Sequence, residues 1–257
     1  MVRGLEKFRD WFADFEDCYV LIGGAASDLI MSDAGLEFRA TKDLDIALCV
    51  EALRGDFVAA FWRFVEAGGY QTRERSGGTR EYFRFLKPAN DEFPVMLELF
   101  TRSLDSIPAP AGSGLISIPA DTDLSSLSAI LMDDAYYDWV MAGRYSLNGV
   151  PVVGAGHLIP LKARASLDLS ERRARGEKVD AKEIRKHKND VVRLLQTLPP
   201  VPLTGVPTVA AEDVARFAAA LRLEGVNPAS FGVDAFGGVD DVVAMLELVY
   251  ELEGQTR

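Results

Sequence analysis

Apolar and polar positions alternate differently in the two parts of the chain, with short strand-like runs early and longer helical periods later. The opening stretch, MVRGLEKFRDWFADFEDC, places aromatics at helical spacing between acids and bases, which predicts an amphipathic helix to about Phe15 rather than a signal peptide. A strand over Cys18–Ile22, a helix over Ala25–Asp33 and a strand over Leu44–Val50 follow. Next comes an amphipathic helix, Leu53–Ala67, carrying Phe57, Phe61, Trp62 and Val65 on one face. The runs Tyr70–Arg75 and Arg80–Leu86, joined at Ser76-Gly77-Gly78, have the turn chemistry of a hairpin, and Pro94–Phe100 reads as a further strand. Ser106–Gly114 is a loop by composition, and Leu115–Ile118 a short strand. Beyond Asp123 helices dominate, interrupted by extended pieces around Tyr136–Val140 and Val150–Val153. A proline-rich break at Leu198–Pro207 precedes two terminal helices, Val214–Leu223 and Val239–Leu252. The expected fold class is α+β: a mixed sheet flanked by helices over residues 1–123, then a mainly helical portion over 124–257.

Two places in this pattern break the rule that strands bury apolar side chains. In KDLDIAL a strand period of two puts Asp43 and Asp45 on one face, while Leu44 and Ile46 point the other way. Adjacent carboxylates repel unless a cation sits between them, and magnesium suits because it takes hard oxygen ligands from carboxylates and phosphates. In EFPVMLELF, Glu92 to Phe100, the one charge in the middle of the run is Glu98, between Leu97 and Leu99; a buried carboxylate needs a partner, and a metal would be one. Glu98 would ligate a second ion or act as general base on an attacking hydroxyl.

The junction CYVLIGGAASDLIM completes the candidate site. Gly23 and Gly24 let the chain turn sharply from strand to helix and let a phosphate approach the backbone without meeting a Cβ. Free amides and the helix dipole at that end favour an anion. A tight turn alone would explain the glycines; the nearby acids favour a triphosphate on magnesium.

With glycines, paired aspartates and a third acid in order, the chain resembles the nucleotidyltransferase superfamily related to DNA polymerase β, most closely its AbiEii/AbiGii toxin-like branch. The resemblance rests on Gly23-Gly24 and on Arg39, Thr41, Asp43 and Asp45 within RATKDLD, an Arg-x-Thr-x-Asp-x-Asp stretch. Relatives often carry Gly-Ser where this chain has Gly23-Gly24, so a phosphate-binding hydroxyl would come from Ser27 or Thr41. A second match lies in LIPLKARASLDLSERRARGEKVDAKEIRKHKNDVVRLL, where Lys162, Lys186 or Lys188, and Asp190 fit the branch pattern. The resemblance implies that Lys162 meets triphosphate oxygens and that Asp190 orients Lys162 or a substrate hydroxyl. It implies a nucleotidyltransferase-type sheet core and transfer of a nucleoside monophosphate from an NTP, with two magnesium ions held by Asp43, Asp45 and Glu98. The acceptor would be a tRNA-like RNA or a protein, the cellular role that of a toxin restrained by a cognate antitoxin. A small-molecule transferase of aminoglycoside type and a non-catalytic nucleotide- or antitoxin-binding module are the alternatives.

Charge changes this picture in one respect. From Lys162 to Arg193 there are eleven lysines and arginines against six acids, in a chain of 257 residues whose net charge is −11. Such a strip would draw a triphosphate or an RNA to one place on an otherwise acidic surface. The two cysteines, Cys18 and Cys49, sit in apolar runs and read as buried thiols of a reducing, cytoplasmic compartment; no run approaches the ~20 apolar residues of a membrane span. There are two histidines, His157 and His187, one of which a Ser-His-Asp hydrolase would have to use, and no G-x-S-x-G, H-E-x-x-H, C-x-x-C, Walker A or G-x-G-x-x-G motif marks a hydrolase, zinc or P-loop site. Tyr136, Tyr137 and Trp139 in DDAYYDWV could stack on a base or pack inside the protein.

Overall fold

The computed structural model describes residues 2–71, 81–100, 118–119 and 133–252. The chain divides into two compact units, and the division is discontinuous: the first combines Met1–Met132 with Arg144–Val153, the second Asp133–Gly143 with Gly154–Arg257. The chain leaves the first unit, returns for ten residues and leaves again.

The first unit is built on a seven-stranded sheet. Its strands are β1 Tyr19–Ile22, β2 Asp43–Leu48, β3 Glu81–Leu86, β4 Met96–Phe100, β5 Ile118–Pro119, β6 Arg144–Leu147 and β7 Val150–Val153, in the order β5-β3-β4-β2-β1-β7-β6. β2 runs parallel to β4 and antiparallel to β1, β7 runs parallel to β1, and β3 runs antiparallel to β4. Among the described residues, helices α1 Leu5–Trp11, α2 Gly23–Asp33 and α3 Gly55–Gly68 belong to the same unit.

Alternation along the strands sorts the two faces of this sheet. Tyr19 points toward α1, its ring 5.3 Å from Phe8, and Phe85 points toward α3, 5.5 Å from Phe61 and 5.8 Å from Trp62. Phe12, fully buried, ties that layer together through Phe8, Phe57 and Phe64. Leu44, Ile46, Leu97 and Leu99 share the face of Tyr19 and Phe85 by register; the residues between them must turn to the other face, where α2 packs on β1 and β2.

Several boundaries move for identifiable reasons. The opening helix stops at Trp11, followed by a 3-10 turn over Ala13–Phe15. α2 begins at the glycines themselves, not at Ala25. Gln71 pairs with Leu86 as the expected hairpin requires, although its turn at 76–78 lies outside the described residues, as does the loop at 106–114. Of the short strand expected at 115–118 only Ile118 is among the described residues, and it begins β5 Ile118–Pro119.

The second unit consists of α4 Asp134–Ala142, α5 Ala155–Ala174, α6 Ala181–Leu195, α7 Thr208–Glu224 and α8 Val239–Val249, with α5 packed on α6 and α7, and α7 on α8. Tyr136–Val140, expected to be extended, is helical. Asp133 accepts hydrogen bonds from the amides of Ala135 and Tyr136, and the cap overrides the β-propensity of the aromatics. Tyr136, Tyr137, Trp139 and Val140 then form one buried face: Tyr136 donates to Asp213 at 2.7 Å, and Trp139 stacks on His157 at 4.0 Å between centroids. These rings are packing groups and offer no platform for a base. The proline-rich stretch 198–207 lies inside this unit as a connection between α6 and α7. No helix among the described residues is long and apolar enough to cross a membrane.

Candidate active site

The acids meet on the sheet face covered by α2. Ile22, Asp45, Glu98 and Arg84 stand in one row across β1, β2, β4 and β3: Ile22 pairs with Asp45, Asp45 with Glu98, and Glu98 with Arg84. Asp45 and Glu98 are both buried, 9% and 8% exposed, so neither is solvated as a surface carboxylate would be.

Asp45 lies under the start of α2. The Gly24 amide donates to Asp45 Oδ2 at 3.3 Å, so the carboxylate satisfies one of the open amides of the helix N-terminus. Gly23 adopts φ +64°, and a Cβ built on it would stand 1.8 Å from Asp45 Oδ2, which explains why the position takes glycine. Gly24 is crowded from the other side: a Cβ there would come within 2.5 Å of Thr41 Oγ1 and 3.5 Å of Arg39 Nη2. The Arg39-x-Thr41 stretch is thus folded back over the glycine turn. The Ser27 hydroxyl is fully buried and donates to the Gly23 carbonyl at 2.7 Å, serving its own helix. Of the two hydroxyls proposed for a phosphate, Thr41's faces the second glycine.

Glu98 is held between an acid and a base. It lies directly opposite Asp45 in the β2–β4 ladder and forms an ion pair with Arg84 on β3. Burial first, and the neighbouring Asp45 charge second, push its carboxyl up to about 8, against the pull of Arg84. Asp43 opens β2 on the same face but opposite Met96, so its neighbour on β4 is apolar. Among the described residues no three His, Cys, Asp or Glu side chains gather into a metal centre. The expected convergence of three acids is thus a buried pair, Asp45 with Glu98, and a half-buried Asp43 two residues along the strand. Two adjacent oxygen donors still fit magnesium, which commonly takes one or two carboxylates and completes its octahedron with phosphate and water.

Arg84 is the residue that sequence reasoning missed. In YFRFL, residues 82–86, it is the lone charge of an apolar run, the mirror image of Glu98 in MLELF, and pairing the two odd residues would have found it.

The downstream residues form a separate cluster in the helical unit. Lys162 on α5 donates to Asp190 Oδ2 on α6 at 2.9 Å, both side chains buried, and Arg193 lies 3.8 Å from Asp190 Oδ1. Lys186 and Lys188 pair with Glu183 and Glu224, and Arg172 and Arg175 with Glu177, so much of the basic strip is matched locally. His187 is half-buried on α6. Cys18 and Cys49 are buried and not joined in a disulfide; desolvation pushes Cys18 up to about 12 and raises Cys49.

No family model and no curated protein sequence matches this chain. Among solved structures it is similar to the crystal structure of an antigenic nucleotidyltransferase-like protein from Paracoccidioides brasiliensis, with 14% identity and a TM-score of 0.46 over 97% of this chain and 95% of that one.

Proposed function

We propose that the first unit is the catalytic part of a magnesium-dependent nucleotidyltransferase, moving a nucleoside monophosphate from an NTP to a hydroxyl acceptor with release of pyrophosphate. One observation carries the reading: a buried Asp45–Glu98 pair lies directly beneath a glycine turn that opens a helix. A fold that needed only stability would gain nothing from two buried acids side by side. Asp45 and Glu98, with Asp43 beside them, would hold magnesium, which supplies neutralisation of the triphosphate charge. The chain's own groups do the rest. The start of α2 offers backbone amides to an anion, and Thr41 brings a hydroxyl and Arg39 a guanidinium over Gly24. Glu98, partly shielded from water and carrying a raised affinity for protons, suits removal of the acceptor's proton. Positioning and charge neutralisation carry most of such phosphoryl chemistry.

The acceptor in this reading is an RNA end or a protein hydroxyl, and the cellular role a toxin held in check by a cognate antitoxin, both taken from the toxin-like resemblance. The test is a labelling assay with the four α-labelled NTPs against total RNA and against the protein itself, in magnesium and in EDTA. Magnesium-dependent label lost in Asp45→Asn supports the proposal; absence of label with every nucleotide contradicts it.

A further inference from the structure

Resting on that reading, we infer that Arg84 is a built-in placeholder cation, which holds Glu98 while the metal is absent and must leave it before an ion can bind between Glu98 and Asp45. The evidence is positional. Arg84 is directly opposite Glu98 in the antiparallel β3–β4 ladder, as Asp45 is directly opposite Glu98 in the parallel β2–β4 ladder. Glu98 is therefore flanked on one side by the acid with which it would share an ion and on the other by a guanidinium already in contact with it.

The contact is built for exchange. Two acids buried together need a positive charge nearby, and Arg84 supplies it. Its side chain is 27% exposed, against 11% for that of Glu98, so the guanidinium has solvent to move into while the carboxylate does not. Among the described residues its Nε has no acceptor, which leaves Glu98 as the contact that anchors the head group. A guanidinium and a divalent cation then compete for one carboxylate, and like charges this close repel strongly in a partly desolvated site. Arg84 is thus a positioning residue that sets the metal affinity of the site without touching substrate.

The test reads metal binding directly. Mn²⁺ is titrated into the wild type, Arg84→Gln, Arg84→Lys and Asp45→Asn, with free Mn²⁺ followed by electron paramagnetic resonance. Arg84→Gln is expected to bind at least ~10-fold more tightly than the wild type and Arg84→Lys to return to wild-type affinity. In the wild type, the Arg84 Nε–H signal in arginine-labelled protein should shift on Mg²⁺ titration with the midpoint of binding, a readout that needs no variant to fold. Equal or weaker binding by Arg84→Gln, or an Nε–H signal unmoved at saturating Mg²⁺, overturns the exchange. If Asp45→Asn abolishes binding while Arg84→Gln does not tighten it, the exchange is overturned and the catalytic reading stands. If the wild type binds no Mn²⁺ with or without NTP, both fall.

Discussion

Gly23 has no room for a side chain because Asp45 fills the space: a Cβ on the glycine would lie 1.8 Å from Asp45 Oδ2. Turn and acid are therefore one unit, and neither can be altered without disturbing the other. Asp45 is fixed on a central strand and cannot swing away as a surface chain would. Gly23→Ala should lower stability by about 2 kcal/mol or more, since it adds a collision to a positive φ, and should also weaken magnesium-dependent NTP binding. Thermal unfolding and calorimetry on the same sample check both.

Asp45→Asn separates folding from chemistry. The amide oxygen can still accept from Gly24, and one of two crowded negative charges is gone, so the metal-free variant should unfold no earlier than the wild type. Nucleotide transfer should fall on the order of 10³-fold, because charge neutralisation at the phosphates is lost. Asp43→Asn should fall too, with a smaller effect on the metal-free melting temperature, since Asp43 is less buried. Melting curves with and without Mg²⁺, beside turnover, are the measurements.

Lys162 and Asp190 form a buried pair, and breaking such a pair costs more than removing it whole. Asp190→Ala should destabilise by about 3 kcal/mol, and the double variant Lys162→Met/Asp190→Leu by less than the sum of the two single changes. Urea unfolding in a double-mutant cycle reads this coupling, and NTP binding by Lys162→Met reads the phosphate role separately.

His157 gives the helical unit an acid-side sensitivity. Burial against Trp139 lowers its proton affinity in the folded protein, so below about pH 6.5 the unfolded chain takes up a proton that the folded one refuses. Stability should therefore be unaffected by this group above that pH and decline as the pH falls from it, by at most about 1.4 kcal/mol per unit. In His157→Gln this part of the slope should vanish, which melting curves between pH 5 and 8 would show.

The site was legible in the sequence to the extent that single residues violated their surroundings. Asp45 and Glu98 stood out because strands do not normally carry acids among leucines, and Gly23-Gly24 because they ended an apolar run. Which strands are neighbours was not legible: alternation gives the face of a residue, and the row Asp45–Glu98–Arg84 depends on β4 lying between β2 and β3. The β6–β7 hairpin was missed as a pair although Asn148-Gly149, with φ of 53° and 75°, is a strong two-residue turn signal. Helical expectations for the second half masked it. Tyr136–Val140 failed for the opposite reason, aromatic content outweighing the capping aspartate just before it.

β7 borders β1 in parallel, with Leu21 opposite Val152, although more than a hundred residues separate them along the chain. A gene fragment ending at residue 132 would leave β1, the strand that feeds the glycine turn, as a raw sheet margin with unpaired backbone groups open to aggregation. The first unit therefore does not travel as a simple N-terminal module: recombination or truncation that separates residues 144–153 from the rest severs its sheet, and any minimal version has to be built by stitching that hairpin back in.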